Sequence, residues 1–354
     1  MHKIGILTSG GDCQGLNAAI RGICKALYKE FGGDNLEIVG FLNGYKGLIK
    51  KEYKILKPLD FFEIIGLGGT ILGTSRLPFK KLKDIEDDQI DKVETMKKSY
   101  REMGLECLLV LGGNGTQKTA NFLSNEGLNI ISLPKTIDND IWSTDMTFGF
   151  HSAVNAATLF IDNIYTTAKS HGRIFIVEIM GHKVGWLTLY AGIAGGADII
   201  LIPEIPYNAE SILKCIENNR KEGKNFSIIA MAEGASSNLI LNQDNNQGKK
   251  KSVSYELAIE LSKFTTQEIK VAIPGHYQRG GSPCPYDRIL ATEFGAAAAE
   301  LVKQKAYGKM VSLKNGKISS TDLNEIAGKL KAVPYECDMI KNARNVGICF
   351  GDCD

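Results

Sequence analysis

The stretch Lys3–Asn17, KIGILTSGGDCQGLN, reads as a buried strand that runs into a glycine turn and opens a helix. Its apolar run, Ile4-Gly5-Ile6-Leu7, is far too short for a membrane span or a signal peptide. From Leu16 to Tyr28 apolar residues recur at helical spacing. Strand, turn and helix in this order begin a βαβ unit, and outward from it the alternation continues. Short β-branched runs predict strands over Lys3–Ser9, Glu37–Leu42, Cys107–Leu111, Asn129–Leu133, Arg173–Met180, Asp198–Ile202, Phe226–Ala232 and Lys270–Ile273. Helical periodicity predicts helices over Leu16–Tyr28, Asp84–Met103, Gly115–Leu123, Phe150–Ser170, Val184–Ile193, Asn208–Glu222 and Ile289–Gln304. The expected fold is α/β, with mainly parallel sheets covered by helices and ligands held at the carboxyl ends of the strands.

At 354 residues the chain exceeds the usual single core, so two lobes with a cleft are expected. Forty-two basic against forty acidic side chains leave a net charge of +2, without the basic excess of a nucleic-acid binder. Neither nucleic acid nor membrane is an expected partner, and the N-terminal strand points to the cytoplasm. The eight cysteines form no repeated CxxC pairs and read as reduced, mostly buried thiols; Cys349 and Cys353 lie close together by chance. The polar run Leu241–Lys251 reads as a solvated loop.

Five segments at strand ends carry the chemistry. In Thr8–Asn17, the pair Gly10-Gly11 lets backbone N–H groups approach an anion at a helix N-terminus. The segment Gly68–Arg76 is glycine-rich and ends on an arginine suited to paired bonds with phosphate oxygens. Gly112-Gly113-Asn114-Gly115-Thr116 forms a second backbone nest; Gln117 stands where a P-loop requires glycine, so that motif is rejected. In Pro134–Asp140, PKTIDND, two carboxylates two residues apart, beside Lys135 and Thr136, can divide the labour of phosphoryl transfer. One accepts the proton of the attacking hydroxyl and the other helps to hold magnesium. In Pro274–Pro283, His276 and Arg279 between glycines suit a phosphate monoester that does not react. No HExxH spacing and no GxSxG elbow is present.

With LTSGGDCQGLNAAIRG, GGTILGTSR, GGNGT, PKTIDND, VEIMG and PGHYQRGGSPCPYDR in this order, the chain resembles the bacterial-type phosphofructokinases from Lys3 to about Ala332. The resemblance implies two Rossmann-like lobes with the active site in the cleft between them: residues 1–149 plus 278–328 for the nucleotide, and 150–277 plus 329–354 for the sugar phosphate. It implies transfer of a phosphoryl group to the C1 hydroxyl of fructose 6-phosphate, with Asp138 as the catalytic base, Lys135 and Thr136 beside it, and Mg2+ organised by Asp140 and Asn114. Gly11, Arg76, Gly113, Asn114, Gly115 and Thr116 fall on nucleotide contacts. Thr136, Asp138, Met180, Gly181, His182, Glu233, His276 and Arg279 fall on the sugar-phosphate site. Arg173 and Lys270 fall on residues that reach it from a neighbouring subunit, so a homotetramer is implied. Three positions depart from the common pattern: Asn114 for aspartate, His182 for arginine and Lys270 for arginine. Arg21 and Lys25 fall where the family often places an effector phosphate.

The family divides between ATP and pyrophosphate users. Gly115 leaves room for a nucleotide where an aspartate would crowd the α-phosphate, which favours ATP; Lys135 accompanies pyrophosphate users but is compatible with either donor. A sensor that binds without turnover is the alternative of another class, prompted by Asn114 and His182.

Overall fold

The computed structural model of the chain describes residues 1–82, 91–236 and 252–352. Met1–Ser152 with Arg279–Lys331 form one compact unit, and Ala153–Gln278 with Ala332–Asp354 form another. In chain order the elements are β1 (His2–Ser9), α1 (Leu16–Phe31), β2 (Leu36–Phe41), α2 (Tyr45–Lys50), β3 (Tyr53–Ile55), α3 (Lys92–Glu102), β4 (Cys107–Gly112), α4 (Asn114–Asn125), β5 (Ile130–Pro134) and α5 (Phe150–His171). There follow β6 (Ile174–Ile179), α6 (Trp186–Ala194), β7 (Ile199–Leu201), α7 (Ala209–Lys221), β8 (Ser227–Ala232), α8 (Val253–Leu261) and β9 (Ile269–Ala272). Last come α9 (Pro285–Lys303), β10 (Lys309–Lys314), β11 (Lys317–Asp322), α10 (Leu323–Ile326) and α11 (Asp338–Asn345).

In the first unit the strands lie in the order β11-β10-β5-β4-β1-β2-β3, parallel except for the two antiparallel edges, β11 and β3. From β1 the chain builds to one side through β2 and then crosses to β4 on the other. The reversal of direction at β1 and β4 opens a crevice at their carboxyl ends, where ligands bind in open α/β sheets. Register makes this concrete: Ser9 lies opposite Gly112, and Gly112 opposite Pro134. The turns after these residues therefore leave three neighbouring strands at one level.

Strands β1, β4 and β5 are buried on both faces, as their unbroken apolar runs require. The helix α1 starts after Gly15, held in the left-handed region at φ 94°, and buries Leu16, Ile20, Ile23 and Leu27 along one stripe. It packs on α9 where a Cβ on Gly22 would lie 2.8 Å from the Thr292 carbonyl, so the two backbones approach closely.

The second unit has four parallel strands in the order β7-β8-β6-β9. Here β6 is flanked by β8 and β9, so its carboxyl end is again a switch point. The C-terminal segment adds to the β7 edge: Cys349 bridges Ile199, and Asn208 donates its backbone N–H to Gly351 O at 2.8 Å.

All eight expected strands are present. Three more, β3, β10 and β11, were not expected. The β10–β11 hairpin turns at Asn315 and Gly316, both at positive φ (51° and 72°), a two-residue turn that Asn-Gly favours. The helices α2, α8, α10 and α11 were likewise unexpected. The helix expected over Asp84–Met103 is seen from Lys92, where Asp91 caps it by accepting from Val93 N and Glu94 N; residues 83–90 lie outside the described residues, as does the polar run Leu241–Lys251. Among the described residues the cysteines are free thiols; Cys353 lies outside them. No described helix is long and apolar enough to cross a membrane.

Candidate active site

The turn after β1 is fixed by the loop around Gly68–Arg76. Gly10 N–H donates to Ser75 O at 3.0 Å, Thr74 Oγ1 to Gly10 O at 2.8 Å, and Thr8 Oγ1 to Gly73 O at 2.7 Å. Asn17, in the first turn of α1, holds the start of the same loop by donating to Leu67 O and Gly68 O and accepting from Ile71 N. Two glycine-rich segments far apart in sequence thus form one surface, with Arg76 exposed at its end. Arg279 joins them: its Nη1 donates to Asp12 O at 3.0 Å, and a Cβ on Gly11 would lie only 3.0 Å from that nitrogen.

Lys135, 2% exposed, lies beneath this turn and donates to Ser9 O at 3.1 Å and to Gly11 O. Burial pushes its pKa down, helped by the Arg279 charge and opposed by Asp12 and Asp138. Because Lys135 follows β5 while Ser9 ends β1, one ammonium ties the floor of the switch point together.

At the neighbouring strand end, Gly112 and Gly113 lead into α4. A Cβ on Gly112 would collide with the Thr116 side chain at 2.4 Å, whereas one on Gly115 would meet nothing within 4 Å. Gly115 therefore borders open space. Gln117 is completely enclosed and donates to Gly112 O and Leu133 O while accepting from Ser132 Oγ, so it clamps the ends of β4 and β5.

The PKTIDND turn follows β5. Thr136 Oγ1 accepts from Asp138 N at 3.1 Å, and Thr136 O accepts from Thr147 Oγ1 at 2.8 Å. Asn139, between the two carboxylates, has left-handed backbone, φ 51°. Its Oδ1 accepts from Thr147 N at 3.1 Å and from Lys331 Nζ at 2.9 Å. Asp138 is half-buried and Asp140 buried. Asn114 Nδ2 donates to Asp140 Oδ2 at 2.8 Å and to Asp140 O at 3.0 Å, so the β4 and β5 turns meet at these two residues.

This pair fits a hard divalent cation in part. Asn114 Oδ1 is buried with no hydrogen-bond partner, beside the Asp140 carboxylate, which leaves one amide oxygen and one carboxylate as oxygen donors. No cluster of three or more His, Cys, Asp or Glu suited to a metal occurs among the described residues. A cation here would complete its shell with water and phosphate oxygens, as magnesium commonly does.

In the second unit, Met180, Gly181 and His182 follow β6. Gly181 (φ 145°) and His182 (φ 55°) both have positive φ, and a Cβ on Gly181 would lie 2.7 Å from Val184 O. Glu233, just after β8, accepts from Gly181 N at 3.2 Å and His182 N at 2.8 Å, so it stabilises this turn. Gln278, fully buried, accepts from Met180 N at 3.3 Å and donates to Gly275 O, linking the Met180 turn to the turn that carries the exposed His276. Arg173 and Lys270 are brought together by Glu268, whose two carboxylate oxygens they pair with separately.

Asn17, Gln117, Gln278, Glu268 and Lys331 were not among the expected site residues, Gln117 having entered only as the residue that breaks a P-loop. Each works through a partner on another element or turn, so no local period reveals it. Gln117 lies in the polar stretch Asn114–Thr119, so its own neighbourhood offers no signal of its enclosed position.

Residues 3–302 match the family model described as Phosphofructokinase. The chain is 52% identical to the ATP-dependent 6-phosphofructokinase of Spirochaeta thermophila, over 99% of this chain and 98% of that one. It is 47% identical to ATP-dependent 6-phosphofructokinase 3 of Bacteroides thetaiotaomicron, over 99% and 100%. Among solved structures, phosphofructokinase from Saccharomyces cerevisiae is similar with a TM-score of 0.80 and 30% identity; the match covers 92% of this chain and 45% of the yeast chain. A pyrophosphate-dependent phosphofructokinase from Marinobacter aquaeolei has a TM-score of 0.81 at 22% identity, covering 99% and 88%, a likeness of fold.

Proposed function

The chain belongs to the phosphofructokinase family, and from that premise we infer that it is an ATP-dependent 6-phosphofructokinase. It is a phosphotransferase that moves the γ-phosphoryl group of ATP to the C1 hydroxyl of fructose 6-phosphate. The observation that carries the donor is Gly115: its Cβ position faces open space at the N-terminus of α4, which follows β4, the strand next to the one that leads into the Gly10-Gly11 turn. Backbone N–H groups at these strand ends suit the phosphates of a nucleotide, and Arg76 supplies a guanidinium to them.

In the reaction, the C1 oxygen forms a bond to the γ-phosphorus, the bond from that phosphorus to its bridging oxygen breaks, and ADP leaves. Asp138 takes the hydroxyl proton. Thr136, by accepting from Asp138 N, fixes the backbone from which this carboxylate extends. Asp140 and Asn114 would hold Mg2+, which supplies charge neutralisation of the phosphate oxygens. Lys135 holds the β1 turn against the β5 turn and adds positive charge under the phosphate site. On the second unit, Glu233 and the Met180–His182 turn suit sugar hydroxyls and the exposed His276 suits the 6-phosphate; on the first unit, Arg279 carries a guanidinium suited to phosphate oxygens. Arg173 and Lys270 would reach a neighbour's 6-phosphate in a homotetramer, and a cytoplasmic enzyme suits these substrates.

A coupled assay with ATP and pyrophosphate at equal concentration tests the donor. Turnover with ATP is expected; activity with pyrophosphate and none with ATP would sink the assignment.

A further inference from the structure

Asp138 and Asp140 need separate aims, and Asn139 stands between them in a left-handed backbone, a conformation that a residue with a side chain keeps where its surroundings hold it. The residue best placed to do so is Lys331. Its ammonium donates to Asn139 Oδ1 (2.9 Å), Thr144 O (2.8 Å) and Asp145 O (2.9 Å), and its own backbone N–H donates to Asp140 O at 2.9 Å. The preceding Leu330 forms an antiparallel bridge with Ile141. Lys331 therefore grips the loop from Asn139 to Asp145 by both side chain and backbone, although it lies 192 positions from Asn139.

Resting on the phosphotransferase reading above, we propose that Lys331 is a positioning residue for phosphoryl transfer: it holds the Asn139 turn so that Asp138 faces the acceptor hydroxyl while Asp140 stays with Asn114. Nothing in this role touches substrate. Its loss should therefore appear in kcat and leave sugar-phosphate binding intact.

The test compares wild type, Lys331→Met, Lys331→Arg and Asn139→Gly by steady-state kinetics and thermal melting. Lys331→Met removes the donors but keeps most of the stem. It should lower kcat about 10- to 100-fold, the usual cost of losing an outer-shell partner, with KM for fructose 6-phosphate within about twofold of wild type. Lys331→Arg keeps a cation and donors, so its kcat should lie between the two. Asn139→Gly supplies the left-handed backbone but no acceptor, so adding Lys331→Met to it should cost less than in the wild-type background.

An unchanged kcat in Lys331→Met, a loss confined to KM, or equal effects of Lys331→Met in both backgrounds would overturn the proposal. If Lys331→Met does not fold, Lys331→Arg decides: a reduced kcat at unchanged KM supports the role, and wild-type kcat overturns it. Wild type separates the two levels of inference. Its failure to turn over with any donor removes the phosphotransferase reading together with this role, whereas wild-type turnover with unaffected variants removes the role of Lys331 alone.

Discussion

Lys135, Asn114 and Asp138 show how much depends on single side chains around one strand end. Asp138 is half-buried and held by the Thr136 turn. Asp138→Ser should lower kcat by about 100- to 10,000-fold, the range for a lost general base, with little change in KM for fructose 6-phosphate. An unchanged kcat would refute its role. Asn114 differs in kind, because its amide donates to the Asp140 carboxylate. Asn114→Asp would set two carboxylates facing each other, a repulsion that a divalent cation relieves. In chelator the variant should melt a few degrees below wild type, on the order of 1 kcal/mol, and Mg2+ should raise its melting temperature more than it raises that of wild type. Equal shifts in differential scanning fluorimetry would argue against a cation between these residues. The carboxylates, glycines and Lys135 were legible in the sequence because their types are unusual at strand ends. Lys331 was not. A lysine in the short segment after α10 looks like any surface lysine, yet it is enclosed enough that burial pushes its pKa down to about 8 against the opposing charges of Asp145 and Asp140.

Elements were legible where burial on both faces forces an apolar run. That rule finds β1, β4, β5 and β6 because each is enclosed by helices or neighbouring strands. It fails for β11, KISSTD, four of whose six residues are exposed at the sheet edge. The Asn315-Gly316 dipeptide, a hairpin-turn pair, was the available signal, and it drew no expectation. Helix contacts are hidden for another reason: a glycine inside a helical pattern says nothing of what it meets. Gly295 in α9 shows the consequence. A Cβ there would lie 2.6 Å from Ala19 O and 2.7 Å from Ile23 N of α1, backbone atoms that cannot rotate away. Gly295→Ala should therefore destabilise the fold by about 1–3 kcal/mol through overpacking, although alanine favours helix by itself. Urea denaturation would measure this, and a neutral or stabilising effect would show that the two helices can separate at little cost.

The chain as a whole divides into two units, each with its own sheet and its own switch point at the carboxyl ends of its strands. The first gathers Gly11, Asn114, Lys135, Asp138 and Asp140; the second gathers Met180, Glu233 and His276, with Arg173 and Lys270 paired to Glu268. If each site draws Asp138 from one chain and Arg173 from its neighbour, two defective chains can repair each other. Asp138→Ser lacks the base, and Arg173→Ala lacks a ligand for the neighbour's 6-phosphate, so each alone should turn over poorly at low fructose 6-phosphate. Mixed in equal amounts, dissociated and reassembled, they should form competent sites wherever an Arg173→Ala chain supplies Asp138 and an Asp138→Ser chain supplies Arg173. Random assembly makes this about a quarter of all sites, with KM restored to the wild-type value at those sites. A mixture no more active than the sum of its parents, despite exchange of subunits verified by a mass tag, would mean that each chain completes its own site. The size of the recovery matters as well as its presence, because repair through a merely steadied fold would raise both parents' activities without fixing the fraction at a quarter.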